Sequence, residues 1–397
     1  MNLAKFDDFV RLSNFFYKTV GIKPYEKPDT IKTSSFLQNF VFYAGTLNLV
    51  IALMGEFLYV LIAFKNGTNF AEATMTMSYI GFVSVGLFKM LSIWWKKDVL
   101  TAFVRELLAI FPNTAQRQEQ YKLNSYLRQC TFVTVGFSLL YMILIWTYNL
   151  FAMVQYLVYE RWLQLRFVGR MLPYYLYIPW NYEDNWSYYL LYAALNFAGY
   201  TSASGQIAAD LLLCATATQV LMHYDFISNC IEQHKINTKN SGKDMLFLKD
   251  IIAYHEKLLN LSDMMNDVFG VPLLFNFMTS TFVLCFVGFQ MTIGVSPDML
   301  FKLFLFLFSS TAQIYLICYY GQKLMDASMG VARAVYNQNW YSADVRYKKM
   351  LVLIAKRAQK PALLKATVFI NISNGTMADI FQMSYKFFAL LRTMYSK

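Results

Sequence analysis

The chain has 397 residues, of which 57% are hydrophobic, 18% aromatic and only 15% charged. Soluble domains carry about 25% charged residues, so this composition excludes an ordinary soluble fold and favours a protein whose apolar surface faces lipid. The net charge is +11, but the basic residues lie between apolar segments rather than in one cluster, which excludes a nucleic-acid partner and suits loops beside membrane lipid.

Seven apolar segments follow one another along the chain, each about long enough to cross a bilayer. Backbone groups are not tolerated unpaired in hydrocarbon, so each segment is expected to be helical. The segments are 41–64, 71–95, 131–155, 188–222, 268–294, 304–320 and 366–394. The fourth is long enough to continue beyond the bilayer, and the first half of the seventh is polar. This pattern predicts an all-α, polytopic membrane protein with seven transmembrane helices, forming one domain over residues 1–397.

The basic residues set the expected orientation. Of the 35 Lys and Arg, 26 fall in the alternate connections 1–38, 96–128, 226–265 and 321–365. Positive residues favour the cytoplasmic side, so we expect a cytoplasmic N-terminus (1–38), a cytoplasmic helical connection (321–365) and an extracellular C-terminus. The stretches 226–265 and 321–360 have helical periodicity and are expected to extend the spans into the cytoplasm. Two glycosylation sequons, at Asn66 and Asn185, then fall on the outer face.

The connection 156–187 is crowded with aromatic residues, for which two interpretations stay open. Tyr and Trp anchor proteins at the membrane interface, because an apolar ring carries a polar group. Alternatively, the segment covers a ligand site. Its aromatic residues are Tyr156, Tyr159, Trp162, Phe167, Tyr174, Tyr175, Tyr177, Trp180, Tyr182 and Trp186.

Signals for catalysis, metals and cofactors are missing from the sequence. It has no Gly-rich phosphate loop, no metalloprotease motif and no nucleophile elbow. Its five cysteines are scattered, which argues against a zinc site and a disulfide framework. We therefore expect neither an enzyme nor a bound metal or cofactor. The unusual features are ionisable residues inside the spans, where burial is unfavourable: Glu56, Lys89, Asp210, Asp379 and Lys386.

The C-terminal third resembles the insect odorant receptor family. The residues that carry the resemblance are Tyr336, Trp340, Asp344, Arg346, Lys348, Lys349, Arg357, Gln359 and Pro361, followed by Lys365-Ala-Thr and by Thr376 eight residues before Ser384-Tyr385. Further upstream, the segment around Trp146 to Asn149 and the motif from Leu172 to Trp180 are similar to those of one fly subgroup. The resemblance covers essentially the whole chain.

The resemblance implies a ligand-gated cation channel subunit in the plasma membrane of olfactory sensory neurons. It implies a tetrameric heteromer with the shared odorant receptor co-receptor, and small volatile odorants as ligands. Span seven would line the pore, and alignment through Phe387-Phe388 puts the gate on Leu390, Thr393 and Met394. Two departures, Met377 in place of a common Phe and Lys386 in place of a small polar residue, leave the pore-lining face of this span open.

Helical spacing in the outer halves of the spans nominates the odorant-binding residues. An odorant pocket is expected to be apolar with few polar groups. The candidates are Met75, Tyr79, Phe82, Trp146, Asn149, Met153, Phe197, Tyr200, Ser204 and Phe304.

Two alternative functions compete with that of a channel subunit. A G-protein-coupled receptor is disfavoured by the orientation and by the missing Asn-Pro-x-x-Tyr motif, and a secondary transporter is disfavoured by the missing repeats. The identity of the odorant, the subunit ratio and conduction without the co-receptor stay open.

Overall fold

The computed structural model describes residues 3–27, 36–66, 70–164, 170–182, 186–236, 241–294 and 296–395. Over these residues the chain is a helix bundle with one short β-hairpin. The helices are α1 (Phe6–Thr19), α2 (Phe36–Asn66), α3 (Phe70–Trp95), α4 (Lys97–Ile110), α5 (Ala115–Gln120), α6 (Leu123–Gln155, continued by a π-helical segment Tyr156–Trp162), α7 (Ser187–Gln233), α8 (Ser241–Thr292), α9 (Pro297–Asn337), α10 (Val345–Ala358, after a 3-10 turn Trp340–Ser342) and α11 (Asn374–Tyr395). The hairpin pairs β1 (Lys365–Ala366) with β2 (Ile370–Asn371).

Six helices in the described ranges are long and apolar enough to cross a membrane, namely α2, α3, α6, α7, α8 and α9. They coincide with the first six predicted segments, so the predicted helical, multi-pass membrane fold is confirmed at this level. Helices α7, α8 and α9 contain 47, 52 and 41 residues. At 1.5 Å per residue they are about 60 to 80 Å long, roughly twice the hydrocarbon thickness. These helices therefore continue well beyond the bilayer.

Helix α7 lies at the centre of the bundle because its sequence is rich in small residues. The most apolar stretch of α7 is buried throughout, and residues 198–209 are mostly Gly, Ala, Ser and Thr. Small side chains allow neighbouring helices to approach closely. Gly86 of α3 marks the closest approach, since a Cβ there would lie 2.3 Å from Ser202 Oγ and 2.6 Å from the Ser202 carbonyl oxygen. A larger residue at Gly86 would push α3 away from α7.

Helix α2 lies at the periphery of the bundle. Only about a third of its most apolar stretch is buried. The exposed side chains are large and apolar, which suits contact with lipid tails. They include Phe40, Leu47, Ile51, Met54 and Phe57.

The N-terminal segment contains a helix that the sequence analysis did not predict. The Asp8 carboxylate accepts a hydrogen bond from the Lys5 backbone N–H at 2.7 Å and caps the first turn of α1. The Ser13 hydroxyl donates to the Ala208 carbonyl of α7 at 2.8 Å. Around this contact α1 buries an apolar face that comprises Phe6, Phe9, Val10, Phe16 and Tyr17. Helix α1 of the N-terminal segment therefore packs against the central helix α7.

The last helix begins at Asn374 rather than at residue 366, as the sequence analysis expected. The residues in between form the hairpin, which is fixed to α8 because the Asn266 side chain accepts from the Lys365 backbone N–H at 2.8 Å. The Thr376 hydroxyl donates to the Asn371 carbonyl at 2.7 Å and links the hairpin to the first turn of α11. The first residues of the predicted seventh segment therefore form a separate element, while the polar residues Asn374 and Asp379 belong to α11.

Candidate ligand-binding cavity

An apolar cavity of about 20 Å³ lies among α3, α6, α7 and α9. This volume holds about one water molecule, so a larger ligand has to push the walls apart. The walls consist of aliphatic and aromatic side chains and one glycine. They are Tyr79, Phe82 and Val83 of α3, Leu144, Ile145 and Tyr148 of α6, Tyr174 of the α6–α7 connection, Gly199 of α7 and Phe306 of α9.

Aromatic rings pack edge to face around the cavity. The Tyr79 ring centroid lies 5.7 Å from that of Tyr148 and 5.4 Å from that of Tyr174, both at steep angles. Phe306 lies 5.6 Å from Phe82 and 5.6 Å from Tyr148, again edge-on. Such pairs are favoured by the ring quadrupoles, and they offer a ligand both ring faces and ring edges. The wall can therefore contact flat and aliphatic molecules alike.

The cavity lies toward one end of the bundle. Phe306 is nine residues from the start of α9 and Gly199 is twelve residues from the start of α7, which is a depth of about 14 to 18 Å. The end of α2 lies beside the start of α3 here, since the Tyr59 hydroxyl donates to Glu72 Oε2 at 2.6 Å, and the end of α8 reaches the same place, since the Gln290 amide donates to the Thr74 hydroxyl. In the predicted orientation, this is the extracellular end.

The described part of the α6–α7 connection, residues 170–182, closes this end of the cavity. The Tyr174 hydroxyl donates to Asn149 Oδ1 at 2.6 Å, and the Tyr192 hydroxyl donates to the Asn149 carbonyl at 2.6 Å. The Tyr177 backbone N–H donates to the Gly55 carbonyl of α2 at 3.0 Å. Within this part of the connection Trp180 is exposed, and so are Trp162 and Trp186 on either side of it. The connection thus contributes Tyr174 to the cavity wall, while other aromatic side chains of the same region are exposed at the surface of the bundle.

Gly199 leaves room for this arrangement. A Cβ at this position would lie 2.7 Å from the Tyr174 hydroxyl oxygen and 2.9 Å from Asn149 Oδ1. Both distances are too short for a real contact with a methyl group. Any other residue at this position would therefore displace the Tyr174–Asn149 hydrogen bond or enter the cavity.

A buried lysine lies directly behind the cavity wall. The Lys302 ammonium is 4.4 Å from the Tyr148 ring centroid and 4.8 Å from that of Phe151. The Tyr148 hydroxyl donates to the Lys302 carbonyl oxygen at 3.1 Å. Lys302 forms no salt bridge with a carboxylate of the described residues, so the two rings provide its main electrostatic stabilisation.

A buried ion pair connects three helices on the side of the cavity away from the closing connection. Lys89 Nζ lies 2.6 Å from Asp210 Oδ1, and both side chains are 3% exposed or less. Gln313 Nε2 donates to Asp210 Oδ2 at 2.5 Å. Lys89 and Gln313 are each seven residues, two helical turns, beyond the cavity residues Phe82 and Phe306. Asp210 of α7 therefore joins two of the helices, α3 and α9, that contribute to the cavity wall.

The residues nominated from helical spacing occupy three kinds of position. Tyr79 and Phe82 line the cavity, and Met75 is buried in the same apolar cluster. Asn149 holds Tyr174, Ser204 is buried in α7 and Tyr200 is half-buried. The remaining four point away from the interior of the bundle: Trp146, Met153, Phe197 and Phe304, which are 40% to 58% exposed.

Sequence reasoning missed seven of the nine cavity residues. In α6 the cavity-facing stripe is Leu144, Ile145 and Tyr148, whereas the nominated stripe began at Trp146. One signal could have corrected the choice, because Thr134, Ser138 and Tyr141 continue the same buried stripe at helical spacing with polar atoms. Tyr174 lies outside the helices, and its only signal was the crowding of aromatic residues in the 156–187 connection, for which a cover over a ligand site was one of the two interpretations.

The last helix attaches to the bundle by one narrow stripe. Its buried residues are Thr376, Ile380 and Ser384. The Phe387 ring lies 5.4 Å from Phe282 of α8, and the Tyr395 ring lies 5.5 Å from Phe289. Residue numbers rise together along the two helices, so α11 runs parallel to α8. The nominated gate residues lie on the exposed face: Leu390, Thr393 and Met394.

Of the two nominated glycosylation sites, Asn66 is exposed at the end of α2, and Asn185 lies outside the described residues.

Comparison with solved structures gives the same fold over nearly the whole chain. The olfactory receptor OR5 from Machilis hrabei, solved in complex with eugenol, matches with a TM-score of 0.83 over 97% of both chains at 15% sequence identity. A second structure of the same receptor matches with a TM-score of 0.81 over 97% of this chain and 99% of that one.

Sequence comparison adds the family. A profile described as 7tm Odorant receptor matches residues 69–385. Odorant receptor 85b of Drosophila melanogaster is 53% identical over 98% of this chain and all of its own length. Odorant receptor 85c of the same fly is 51% identical with the same coverage, and odorant receptor 67a is 39% identical over 98% of this chain and 96% of its own. The resemblance noted in the sequence is therefore confirmed: the chain is a multi-pass membrane protein of the odorant receptor family, and it is not an enzyme.

Proposed function

We propose that the chain is an olfactory receptor subunit that binds small volatile odorants and opens a cation channel together with the odorant receptor co-receptor, in the plasma membrane of olfactory sensory neurons. The observation that carries the proposal is the apolar cavity between α3, α6, α7 and α9. A cavity of this kind suits a small molecule with few polar groups. The eugenol complex of the structurally similar OR5 supports a ligand of this class.

The proposed odorant contacts are the residues that line the cavity. Tyr79 and Phe82 remain from the residues nominated by helical spacing, while Tyr148, Tyr174 and Phe306 replace the outward-facing candidates. In its present volume the cavity holds little more than a water molecule, so binding requires the aromatic rings to move apart. Because Tyr174 belongs to the closing connection and Phe306 to α9, this movement would displace both elements.

We assign the seventh span and the pore to α11. Its 22 residues are about 33 Å long, which is enough to cross the hydrocarbon core. Because α11 contains polar residues, its mean hydropathy is too low for it to be counted among the apolar spans. Polar residues are expected in a transmembrane helix that borders water rather than lipid. Only one stripe of α11 is buried in the single chain, so the face with Leu390, Thr393 and Met394 is free to meet other subunits around a pore. A ring of such apolar side chains could gate by dewetting.

The parallel course of α8 and α11 supports the proposed orientation. Helix α8 is the fifth crossing and α9 is the sixth. Because α11 runs in the same direction as α8, it would be a seventh crossing, so the number of crossings is odd and the two termini lie on opposite sides of the membrane. With the basic connections inside, the N-terminus is cytoplasmic and the C-terminus extracellular. Asn66 then lies outside, where glycosylation is possible.

Expression with and without the co-receptor tests this function. In cells that contain both proteins, we expect volatiles to evoke cation currents, with a ranking of odorants that the co-receptor alone does not produce. Whole-cell recording across a volatile panel measures this. Odorant responses that required G-protein signalling, or no response to any volatile despite surface expression, would refute the proposal.

Tags at the two ends test the orientation. In intact cells we expect an antibody to reach a C-terminal tag but not an N-terminal tag, and to reach both after permeabilisation. An N-terminal tag that is accessible without permeabilisation would contradict the odd number of crossings or their direction.

A further inference from the structure

Three tyrosines surround the cavity, and their hydroxyl groups differ in how they are used. The Tyr148 hydroxyl donates to the Lys302 carbonyl and the Tyr174 hydroxyl donates to Asn149 Oδ1. The Tyr79 hydroxyl is buried and has no hydrogen-bond partner among the described residues. The protein itself therefore employs two of the three donors and leaves one unused.

The unused donor belongs to a residue whose ring a ligand would touch. The Tyr79 side chain is 3% exposed, and its ring lines the cavity and contacts the rings of Tyr148, Tyr174 and Phe306. The hydroxyl oxygen itself is buried behind the present cavity surface, where a ligand would reach it once the walls have moved apart. A buried hydroxyl without a partner is unfavourable, because its hydrogen bonds to water are lost and not replaced. A bound molecule with an acceptor oxygen would replace them, whereas a pure hydrocarbon would leave the hydroxyl unpaired.

Other polar side chains close to the cavity do not provide this partner. Glu56 is buried in α2, near enough to interact electrostatically with Tyr79 and Tyr174, yet it forms no hydrogen bond with Tyr79 and its Oε2 is itself unpaired. Lys302 lies behind the Tyr148 ring. Two polar groups near the cavity are therefore left without a hydrogen-bond partner among the described residues: the Tyr79 hydroxyl, which can donate, and the Glu56 Oε2 oxygen.

We propose that the Tyr79 hydroxyl determines specificity by donating a hydrogen bond to an acceptor oxygen of the odorant. The ligand class is a neutral, mostly aliphatic or aromatic volatile with a single carbonyl, ester or ether oxygen. Its apolar part contacts Phe82, Leu144 and Phe306, and its oxygen faces Tyr79. This inference rests on the proposed function, because it assumes that odorants enter this cavity.

The test compares agonists that differ only at the acceptor atom. Each carbonyl-bearing agonist of the volatile panel is paired with its isostere in which a methylene group replaces the carbonyl oxygen, and both are applied to the wild-type heteromer and to Tyr79→Phe. We expect the wild type to respond at lower concentrations of the carbonyl compound. In Tyr79→Phe we expect the midpoint for the carbonyl compound to rise about fivefold, the value of one ordinary hydrogen bond, and the midpoint for the isostere not to rise.

Tyr148→Phe is the matched control, because its hydroxyl is already engaged by the protein. Surface expression is quantified for both variants, and Tyr148→Phe is expected to shift both members of each pair alike. If Tyr79→Phe shifts both members equally, or if the wild type does not distinguish them, the inference is wrong while the proposed function stands. If no volatile activates the surface-expressed wild-type heteromer, the proposed function itself fails.

Discussion

Replacing Asp210 with alanine is expected to remove most of the folded receptor from the cell surface. The substitution leaves the Lys89 ammonium and the Gln313 amide buried without their shared partner. Removing one member of a buried ion pair costs about 3–5 kcal/mol, against a total stability of about 5–15 kcal/mol for a typical domain. Surface biotinylation and the thermal stability of the detergent-solubilised protein measure the loss.

Two further variants separate the ion pair from a general effect of lost charge. Glu232→Ala removes an exposed carboxylate from the same helix, one that accepts from Asn337 at 2.9 Å. Exposed polar contacts contribute about 1 kcal/mol or less, so this variant is expected to reach the surface. The double variant Lys89→Met with Asp210→Leu replaces the pair by apolar side chains and is expected to recover much of the stability. A single Asp210→Ala variant as stable as the wild type would show that the pair does not hold α3, α7 and α9 together.

The second large effect is expected on ligand response. Phe306→Ala removes a ring that is 3% exposed and contacts Tyr79, Phe82 and Tyr148. The lost apolar contact with a bound odorant is worth about 1.5–3 kcal/mol, which raises the agonist midpoint by about ten- to a hundredfold. The larger cavity should at the same time favour bulkier odorants. Concentration–response curves in the heteromer, normalised to surface expression, measure both changes.

Trp146→Ala is the matched control for Phe306→Ala. It also removes a large aromatic ring, but Trp146 is 50% exposed on the outer surface of α6 and does not line the cavity. We expect little change in the midpoint. Because Phe306→Ala also leaves a hole in the packing, Phe306→Leu is the milder variant that keeps the fold testable. An equal shift for Trp146→Ala and Phe306→Ala would argue that the odorant binds on the outside of the bundle.

Sequence patterns predicted the spans well for a simple physical reason. Hydrocarbon requires long apolar helices, and such runs are visible in a single sequence. The first six segments accordingly coincide with α2, α3, α6, α7, α8 and α9. The seventh was harder to delimit, because the hairpin and the polar residues before and within α11 interrupt the apolar pattern.

The faces of the helices were much harder to predict. Lipid tails are as apolar as the interior of the bundle, so hydrophobicity does not tell which side of a helix is buried. Trp146 and Tyr148 are both large aromatics two residues apart, yet one faces outward and the other lines the cavity. Phe304 and Phe306 differ in the same way. A sign of burial that was present but not used is the run of small residues in α7, since small side chains allow helices to approach closely.

Contacts between distant parts of the chain were beyond the reach of the sequence. Lys89 and Asp210 were recognised as unusual ionisable residues, but their pairing joins positions 121 residues apart. Tyr174 reaches the cavity from an irregular connection, held by Asn149 of α6. No periodicity governs either contact, so only the folded chain reveals them.

The most direct test of the central claim, that odorants bind in the α3–α6–α7–α9 cavity and not in the pore, is one recording from the heteromer. The agonist midpoint and the reversal potential under biionic conditions are measured in the same cells for the wild type and for Phe306→Ala. We predict that the midpoint rises about ten- to a hundredfold while the reversal potential stays the same, because the cavity is separate from the pore proposed along α11. An unchanged midpoint together with a shifted reversal potential would contradict the account.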